Sequence, residues 1–293
     1  NVLIKNKVGI MDINGIILVN KERNVSSNTV VNKVKHILGA KKAGHLGTLD
    51  VLGEGLLPVT LGKGTKLFDF YLNKDKVYRT VFKFGQTSQT LDLEGEIIYD
   101  EKDVDITIKE LESVLTSFIG KQNQMPPIFS AKKINGRKAY DLARDGEIPE
   151  LKPKLIEIYD IKFLRKIEKN TFELEIHCSS GTYIRSVCRD IANKLSTYGI
   201  MLSIQRTKCG EFNINDSYTI EQIKNGDYKI INLCELFDNS DLCLDDAQFK
   251  KVDNGVVLDI DICDGDFKCW KGNMFLGIAN VKNCKLKLKL RLY

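Results

Sequence analysis

The sequence is poor in the residues that metal sites and membrane segments require. It contains three histidines in 293 residues, and none of its eight cysteines form a C-x-x-C pair. A zinc site requires such ligands at close spacing, so no zinc site is expected. No apolar run reaches the roughly 18 residues that span a bilayer, so no membrane segment is expected.

The start of the chain also lacks the features of a secretion signal. Residues 1–8 mix lysine with apolar residues and contain no long apolar core. We therefore expect a cytoplasmic protein. Its cysteines are expected to stay free thiols, because the cytoplasm is reducing.

The net charge of +5 is unevenly distributed along the chain. Residues 1–90 contain 14 Lys or Arg and 6 Asp or Glu, whereas residues 91–240 contain 21 and 25. A basic first third suits the approach of a polyanion such as RNA. A solvated lysine-rich surface would have the same composition, so charge alone leaves both interpretations open.

The hydrophobic pattern predicts an α+β fold, because strands and helices do not alternate regularly as they do in βαβ units. Residues 44–58 are rich in glycine without a period, and residues 122–137 are polar and contain proline, so both are predicted to be loops. Apolar runs, alternating or continuous, predict strands at residues 14–20, 76–84, 155–163 and 171–178.

Local capping signals predict helices. Ser26 and Ser27 offer N-caps to the first helix, and Gly39 ends it. Thr107 and Glu110 have the spacing of a capping box and begin the second. The predicted helices cover residues 30–38, 107–117 and 182–195.

The character of the sequence changes near Leu242. A short helical piece is followed by short strand-like pieces with Asp/Gly turns, and residues 284–293 alternate apolar and polar side chains. These features predict a small β-rich domain at residues 241–293, after a larger domain at residues 11–240.

The candidate for chemistry is Asp50, which ends the glycine-rich stretch GHLGTLD. A histidine, His45, stands five residues before it. Taken alone, an aspartate in such a loop permits several interpretations: a helix N-cap, a turn residue or a hydrolytic base.

The surrounding sequence resembles the catalytic motif of the bacterial TruB family of tRNA pseudouridine synthases. The resemblance begins with GHLGTLDVLGEGLLP at residues 44–58 and covers roughly residues 14–215. Four further blocks match in the same order: GIILVNKERNVSS, KVYRTVFKFGQTSQTLDLEG, QMPPIFSAKKINGRKAYDLARDG, and IHCSSGTYIRSVCRDIANKL continued by IQRTKCGEF.

The resemblance implies both a fold and an activity. The fold is a mixed, largely antiparallel sheet flanked by helices, with a small PUA-like RNA-binding domain at the C-terminus. The activity is the isomerisation of uridine 55 in the T-loop of tRNA to pseudouridine. The C1′–N1 glycosidic bond breaks, the base turns, and C1′ rejoins the base at C5.

The same resemblance implies three catalytic residues. Asp50 matches the nucleophile, which can split the reaction into easier steps through a covalent adduct. Arg185 matches its arginine partner, whose planar guanidinium suits a carboxylate. Tyr78 matches the active-site tyrosine, which can stack on uracil and help to remove the C5 proton.

Four further positions are implied to bind the substrate. Ile204 matches an apolar residue, commonly Leu, that covers the base and keeps out water. Tyr183 matches another pocket residue, and Lys21 matches a lysine with a supporting role. His45 matches the residue that fills the space left by the flipped base.

The implied partner is the T-arm stem-loop of tRNA, recognised without a guide RNA by a monomer that needs no cofactor or metal. Two alternatives remain open. One is the guide-dependent relative that works within a ribonucleoprotein, since it shares the Asp50 motif. The other is a non-catalytic RNA-binding or tRNA-folding module, a role that could also coexist with catalysis.

Overall fold

The computed structural model describes residues 13–129, 133–134, 137–138 and 151–293. The strands are β1 (Gly15–Lys21), β2 (Ala43–His45), β3 (Glu54–Leu61), β4 (Lys76–Phe84), β5 (Gln86–Thr87), β6 (Ile98–Tyr99), β7 (Gly120–Gln124), β8 (Lys133–Ile134), β9 (Arg137–Lys138), β10 (Lys154–Glu168), β11 (Thr171–Cys178), β12 (Gly199–Cys209), β13 (Phe212–Asn213), β14 (Asp241–Cys243), β15 (Leu258–Asp259), β16 (Gly265–Lys271), β17 (Met274–Lys282) and β18 (Lys285–Arg291). The helices are α1 (Ser27–Leu38), α2 (Phe68–Leu72), α3 (Ile108–Thr116), α4 (Ile184–Lys194), α5 (Ile220–Lys224) and α6 (Asp246–Asp253).

Among the described residues, the main sheet has nine strands. Seven follow the order β1-β3-β12-β4-β11-β10-β7, while β2 pairs with β3 and β13 pairs with β12. All of these pairs are antiparallel except β12 with β3, where Gln205 and Arg206 lie opposite Glu54 and Gly55. The predicted mixed, largely antiparallel sheet of an α+β fold is therefore confirmed.

The helices pack on the main sheet through their apolar faces. In α1, Val30 and Val34 pack in one cluster with Ile17 of β1 and Leu57 of β3. The helices α3 and α4 pack in a second cluster with β4, β10 and β11. The predicted caps are present, because Ser26 accepts a hydrogen bond from the Thr29 amide and Gly39 has a positive φ.

Thr107 and Glu110 form the predicted capping box of α3. The predicted strand at residues 76–84 has the same bounds as β4, and the predicted strand at 171–178 has those of β11. The predicted strand at 155–163 is longer, since β10 continues to Glu168 beside β11.

The two predicted loops are partly wrong. Residues 44–58 contain the last two residues of β2 and the first five of β3, and the buried residues of β3 from Gly55 to Leu61 pair with β1 over its whole length. Residues 122–124 belong to β7, which pairs with β10. In both places a partner strand distant in sequence supplies the hydrogen bonds, and no local pattern shows that partner. Residues 130–132 and 135–136 of the second predicted loop lie outside the described residues.

The C-terminal strands form a second sheet of five strands, in the order β14-β16-β17-β18-β15. Val252 of α6 joins Leu276 and Leu286 in the core beneath it. On its other side Ile278 joins a cluster with Leu18 of β1 and Leu56 of β3, so this sheet also packs on the main one. The division into domains at residues 11–240 and 241–293 stays a prediction. Within the described residues, no helix has both the length and the apolarity to cross a membrane.

Candidate active site

The pairing of β4 with β12 brings three side chains to one face of the main sheet. Tyr78 of β4 lies directly opposite Arg206 of β12. Side chains opposite each other in an antiparallel pair lie on the same face, and so do residues two positions apart in one strand. Ile204 therefore stands beside Arg206 and diagonally across from Tyr78.

The end of the loop after β11 contributes Tyr183, and the first turn of α4 contributes Arg185. Tyr183 is the N-cap residue of α4, and its backbone is held by the buried side chain of Gln124. The Gln124 amide donates to the Tyr183 carbonyl at 3.1 Å, and its Oε1 accepts from the Tyr183 amide at 2.8 Å. Arg185 is the second residue of the helix and is buried.

Asp50 lies in the turn between β2 and β3, and buried side chains hold this turn from two sides. The Ser27 hydroxyl donates to the Leu49 carbonyl at 2.8 Å and accepts from the Leu49 amide at 2.9 Å. The Lys21 ammonium donates to the carbonyls of Val51 and Gly53. Both neighbours of Asp50 in the chain are thus hydrogen-bonded to the fold.

Arg185 connects two carboxylates. Its Nη2 lies 3.0 Å from Oδ2 of Asp50, and its Nη1 lies 3.2 Å from Oδ2 of Asp92. Nη1 also donates to the Thr90 carbonyl at 3.0 Å. The Asp92 side chain is 5% exposed and that of Asp50 is 57% exposed. Asp92 therefore holds the guanidinium from the buried side, while Asp50 projects into the open.

Asp92 is itself well supported. Its Oδ1 accepts hydrogen bonds from the Thr90 hydroxyl at 2.6 Å and from the Glu94 amide at 3.0 Å. A buried carboxylate is costly unless it is hydrogen-bonded and paired, and these contacts together with Arg185 meet both requirements. The charged Asp92 in turn fixes the position of Arg185.

A cavity of about 500 Å³ opens in front of these groups. Protein sites for small molecules have about this size and combine apolar walls with a few placed polar groups. The cavity is lined, among others, by Asp50, Tyr78, Pro126, Lys154, Tyr183, Ile184, Arg185, Met201, Ile204 and Arg206. A planar base could be enclosed between its apolar and aromatic walls.

Burial changes the titration of three groups around the site. It raises the pKa of Tyr78 to about 12, and the charge of Arg206 acts in the opposite direction. It lowers the pKa of Lys21 to about 8, against the effect of the Asp50 and Glu54 carboxylates. It also lowers the pKa of His45, and here Arg206 adds to the effect.

Five of the seven residues predicted from the sequence line this cavity. They are Asp50, Tyr78, Tyr183, Arg185 and Ile204. His45 lies at the end of β2, next to the lining residue Leu46, and its Nδ1 accepts from the Gly47 amide at 3.3 Å. Lys21 lies beneath the Asp50 turn, with 1% of its surface exposed, and does not line the cavity.

Sequence reasoning missed three residues that shape the site: Asp92, Gln124 and Arg206. Asp92 and Gln124 lie within two of the matching blocks, and Arg206 lies in IQRTKCGEF. Their positions could have been noted, but an Asp, a Gln or an Arg in such a block is usually a surface residue. Only the fold shows that they are buried and which group each one contacts.

Comparison with known proteins adds independent information. The model of the TruB family pseudouridylate synthase N-terminal domain matches residues 35–184. The tRNA pseudouridine synthase B of Caldanaerobacter subterraneus subsp. tengcongensis is 37% identical over 245 residues, covering 84% of this chain and 86% of the relative. That of Francisella tularensis subsp. novicida is 33% identical over 284 residues, covering 94% of each chain.

Solved structures share the fold. A chain of a Cbf5-Nop10-Gar1 complex superposes with a TM-score of 0.65 at 20% identity, covering 91% of this chain and 78% of that chain. A chain of an H/ACA RNP bound to a substrate RNA containing 2′-deoxyuridine gives 0.67 at 19% identity, covering 95% and 85%. At these identities the similarity concerns the fold alone.

Proposed function

This chain belongs to the TruB family of pseudouridylate synthases, and we propose that it isomerises uridine 55 in the T-loop of tRNA to pseudouridine. The coarser activity, pseudouridine formation in tRNA, is that of relatives which share one third or more of its residues over most of its length. The choice of uridine 55 and the roles of individual residues below belong to the proposal.

The observation that carries the proposal is the placement of Asp50. Its exposed carboxylate stands at the wall of a cavity, and a buried guanidinium lies 3.0 Å away. A carboxylate in this position can act as a nucleophile towards the nucleotide and split the rearrangement into easier steps. The guanidinium of Arg185 pairs with the Asp50 carboxylate and holds it in one orientation.

The remaining lining residues suit a flipped uracil. Tyr78 and Tyr183 can stack on the base or bind its edge, while Ile204 can cover it and exclude water from the reacting atoms. Tyr78 also stands where it could accept the C5 proton at the end of the reaction. Extrusion of the base costs about a few kcal/mol, which contacts within the cavity and His45 at its edge would offset.

Lys21 supports the reaction from beneath the cavity. Its hydrogen bonds to Val51 and Gly53 hold the turn that carries Asp50. The charge of Lys21 interacts favourably with the Asp50 carboxylate. We assign it the holding of the Asp50 turn, with any effect on the substrate passing through Asp50.

The test is conversion of a defined RNA. The protein is incubated with an unmodified T-arm stem-loop, without guide RNA, and pseudouridine is located by carbodiimide labelling and primer extension. The expected result is one stop signal at uridine 55. A stem-loop with cytidine at that position is the matched control and should give none.

Two outcomes would contradict the proposal. Absence of pseudouridine from the free stem-loop, together with its appearance when a guide RNA is supplied, would favour the guide-dependent alternative. Tight binding without any conversion would favour a non-catalytic RNA-binding module. We also propose that the protein acts as a monomer in the cytoplasm. Light scattering of the protein with and without RNA measures the molar mass and so tests whether it is a monomer.

A further inference from the structure

Arg206 is a charged residue in the interior of the active site. It is 1% exposed, yet its side chain reaches the cavity wall. Its Nε donates to the Leu56 carbonyl at 2.8 Å, and its Nη2 donates to the Gly47 carbonyl at 3.0 Å. Within the part of the chain that the structure describes, no carboxylate lies within ion-pair distance of this guanidinium.

A buried charge without an opposite charge carries a desolvation cost of several kcal/mol. Two backbone carbonyls satisfy only part of the five N–H donors of a guanidinium. A neutral donor such as glutamine could serve those carbonyls without that cost. The positive charge itself therefore requires an explanation beyond the anchoring of two loops.

The side chain with the most to gain from this charge is that of Tyr78. Arg206 lies directly across from it in the β4–β12 pair, so both side chains share one face of the sheet. Burial disfavours the ionised phenol and raises the pKa of Tyr78 to about 12, while the charge of Arg206 acts against this rise.

The other cations near Tyr78 have partners of their own. The Lys76 ammonium, two residues before Tyr78 in β4, donates to the carbonyls of Leu72 and Lys74. Thiols on the two neighbouring strands raise its pKa further. Across the cavity the Arg185 charge is already paired with carboxylates. Among the described residues, the titratable or charged groups that line the cavity with Tyr78 or act on its charge are Asp50, Lys76, Lys154, Cys178, Tyr183, Arg185, Arg206 and Cys209.

We propose that Arg206 is a positioning residue that stabilises the phenolate of Tyr78 and so enables this tyrosine to remove the C5 proton of the rearranged base. The proposal rests on the proposed function. In this step the C5–H bond breaks and its proton moves to the Tyr78 oxygen. Its electron pair forms the C5=C6 double bond, and the N1=C6 double bond of the rearranged base opens with its pair moving to N1. N1 is protonated, and the Tyr78 phenol gives up the proton it received, directly to N1 or through solvent, which restores the phenolate.

The test separates proton removal from all earlier steps. Single-turnover rates are measured on T-arm stem-loops that carry hydrogen or deuterium at C5 of the target uridine. For Arg206→Gln we expect the single-turnover rate to fall by up to about 10²-fold. This is the lower end of what general acid–base catalysis contributes. We also expect a primary isotope effect that is larger than that of the wild type. Arg206→Lys retains the charge and should lose less rate, without the added isotope effect.

A rescue experiment addresses the phenolate directly. Fluorotyrosine has a more acidic phenol than tyrosine, and at position 78 it should restore part of the rate of Arg206→Gln. Arg206→Met is a second neutral variant should Arg206→Gln fail to fold, and circular dichroism checks both. Arg165→Gln, which removes an exposed arginine paired with Glu173, is the matched control and should behave as the wild type.

A wild-type single-turnover rate in Arg206→Gln or Arg206→Met would overturn the proposal. So would a slow rate that is equal for hydrogen and deuterium and is not rescued by fluorotyrosine, because that pattern describes a residue that only anchors Gly47 and Leu56. Failure of the proposed function is distinguishable, since the wild type itself would then convert no uridine.

Discussion

Asp50 and Arg185 are 135 residues apart in the chain, yet Oδ2 of Asp50 lies 3.0 Å from Nη2 of Arg185. The two partners differ in their surroundings, because 9% of the Arg185 side chain is exposed against 57% of that of Asp50. The fixed partner is thus the cation, and the carboxylate reaches outward from it. This arrangement leaves an oxygen of Asp50 available to a substrate while its charge is held.

Substitution of Asp50 tests the nucleophile. Asp50→Asn keeps the shape of the side chain but removes its charge and most of its nucleophilicity, so turnover should be lost while RNA affinity stays near that of the wild type. Conversion is followed by carbodiimide mapping and affinity by filter binding. Asp160→Asn, at an exposed ion pair with Lys162, is the control. Pseudouridine formed above background by well-folded Asp50→Asn would remove Asp50 from this role.

Substitution of Asp92 tests the buried half of the network. Asp92→Asn leaves Arg185 without its buried counter-charge, a change that costs about 3–5 kcal/mol when one partner of a buried pair is lost. We expect a lower free energy of unfolding in urea and a lower single-turnover rate, although Asp50 is intact. Asp103→Asn breaks an exposed pair with Lys169 and should cost less than about 1 kcal/mol. Equal costs for the two variants would contradict this account.

His45 should make the protein sensitive to acid. Burial lowers the pKa of His45 below its usual value of 6.5, and Arg206 adds to this. Near and below pH 6.5 the unfolded chain therefore binds more protons at this site than the folded chain, so the free energy of unfolding falls as the pH decreases through that range. Between about pH 7.5 and 5.5 the wild type should lose more stability in urea than His45→Gln. His36→Gln, at an exposed position of α1, should lose as much as the wild type.

Removal of metal ions should leave activity unchanged. The proposed reaction exchanges no electrons and no phosphate, and its nucleophile and base are side chains of the protein. Rates are measured on a pre-folded stem-loop before and after dialysis against EDTA, with the RNA fold checked by its melting curve. A loss of rate that one divalent ion alone restores, with the RNA still folded, would contradict the prediction.

The basic first third should hold the RNA backbone. Lys41 and Lys42 are exposed and immediately precede β2, which leads into the turn that carries Asp50. Phosphate contacts release counterions, so the double substitution Lys41→Ala, Lys42→Ala should weaken binding and reduce the slope of log affinity against log salt by about 0.7–0.9 per lost contact. The modified uridine should stay the same, because such contacts position rather than specify.

The control for this prediction lies on another strand. Lys162→Ala with Lys166→Ala removes two exposed lysines of β10 and should keep the wild-type slope. A wild-type slope in the Lys41, Lys42 variant would place these lysines outside the interface. A shifted site of modification would show that they contribute to specificity, whereas we expect loop shape and the unstacked base to decide it.

Elements with local signals could be predicted from the amino-acid sequence. The caps of α1 at Ser26 and Gly39 and the bounds of β4 were predictable, because a cap bonds to residues within its own turn and an alternating strand displays its period directly. The motif around Asp50 indicated its role through resemblance to a family. Such a resemblance identifies positions in the chain and gives no distance between them.

The spatial arrangement of those residues follows only from the tertiary structure. Glu54–Leu61 is a strand because β1 and β12 supply its hydrogen-bond partners. The local glycine-rich sequence does not indicate either partner strand. Gly55, at φ +94°, lets β12 approach so closely that a Cβ there would lie 2.5 Å from the Arg206 carbonyl oxygen. Asp92 and Arg206 acquire their roles through burial next to Arg185 and Tyr78. The interaction between two charges is stronger where water is excluded, and only the folded chain determines which side chains are shielded from water.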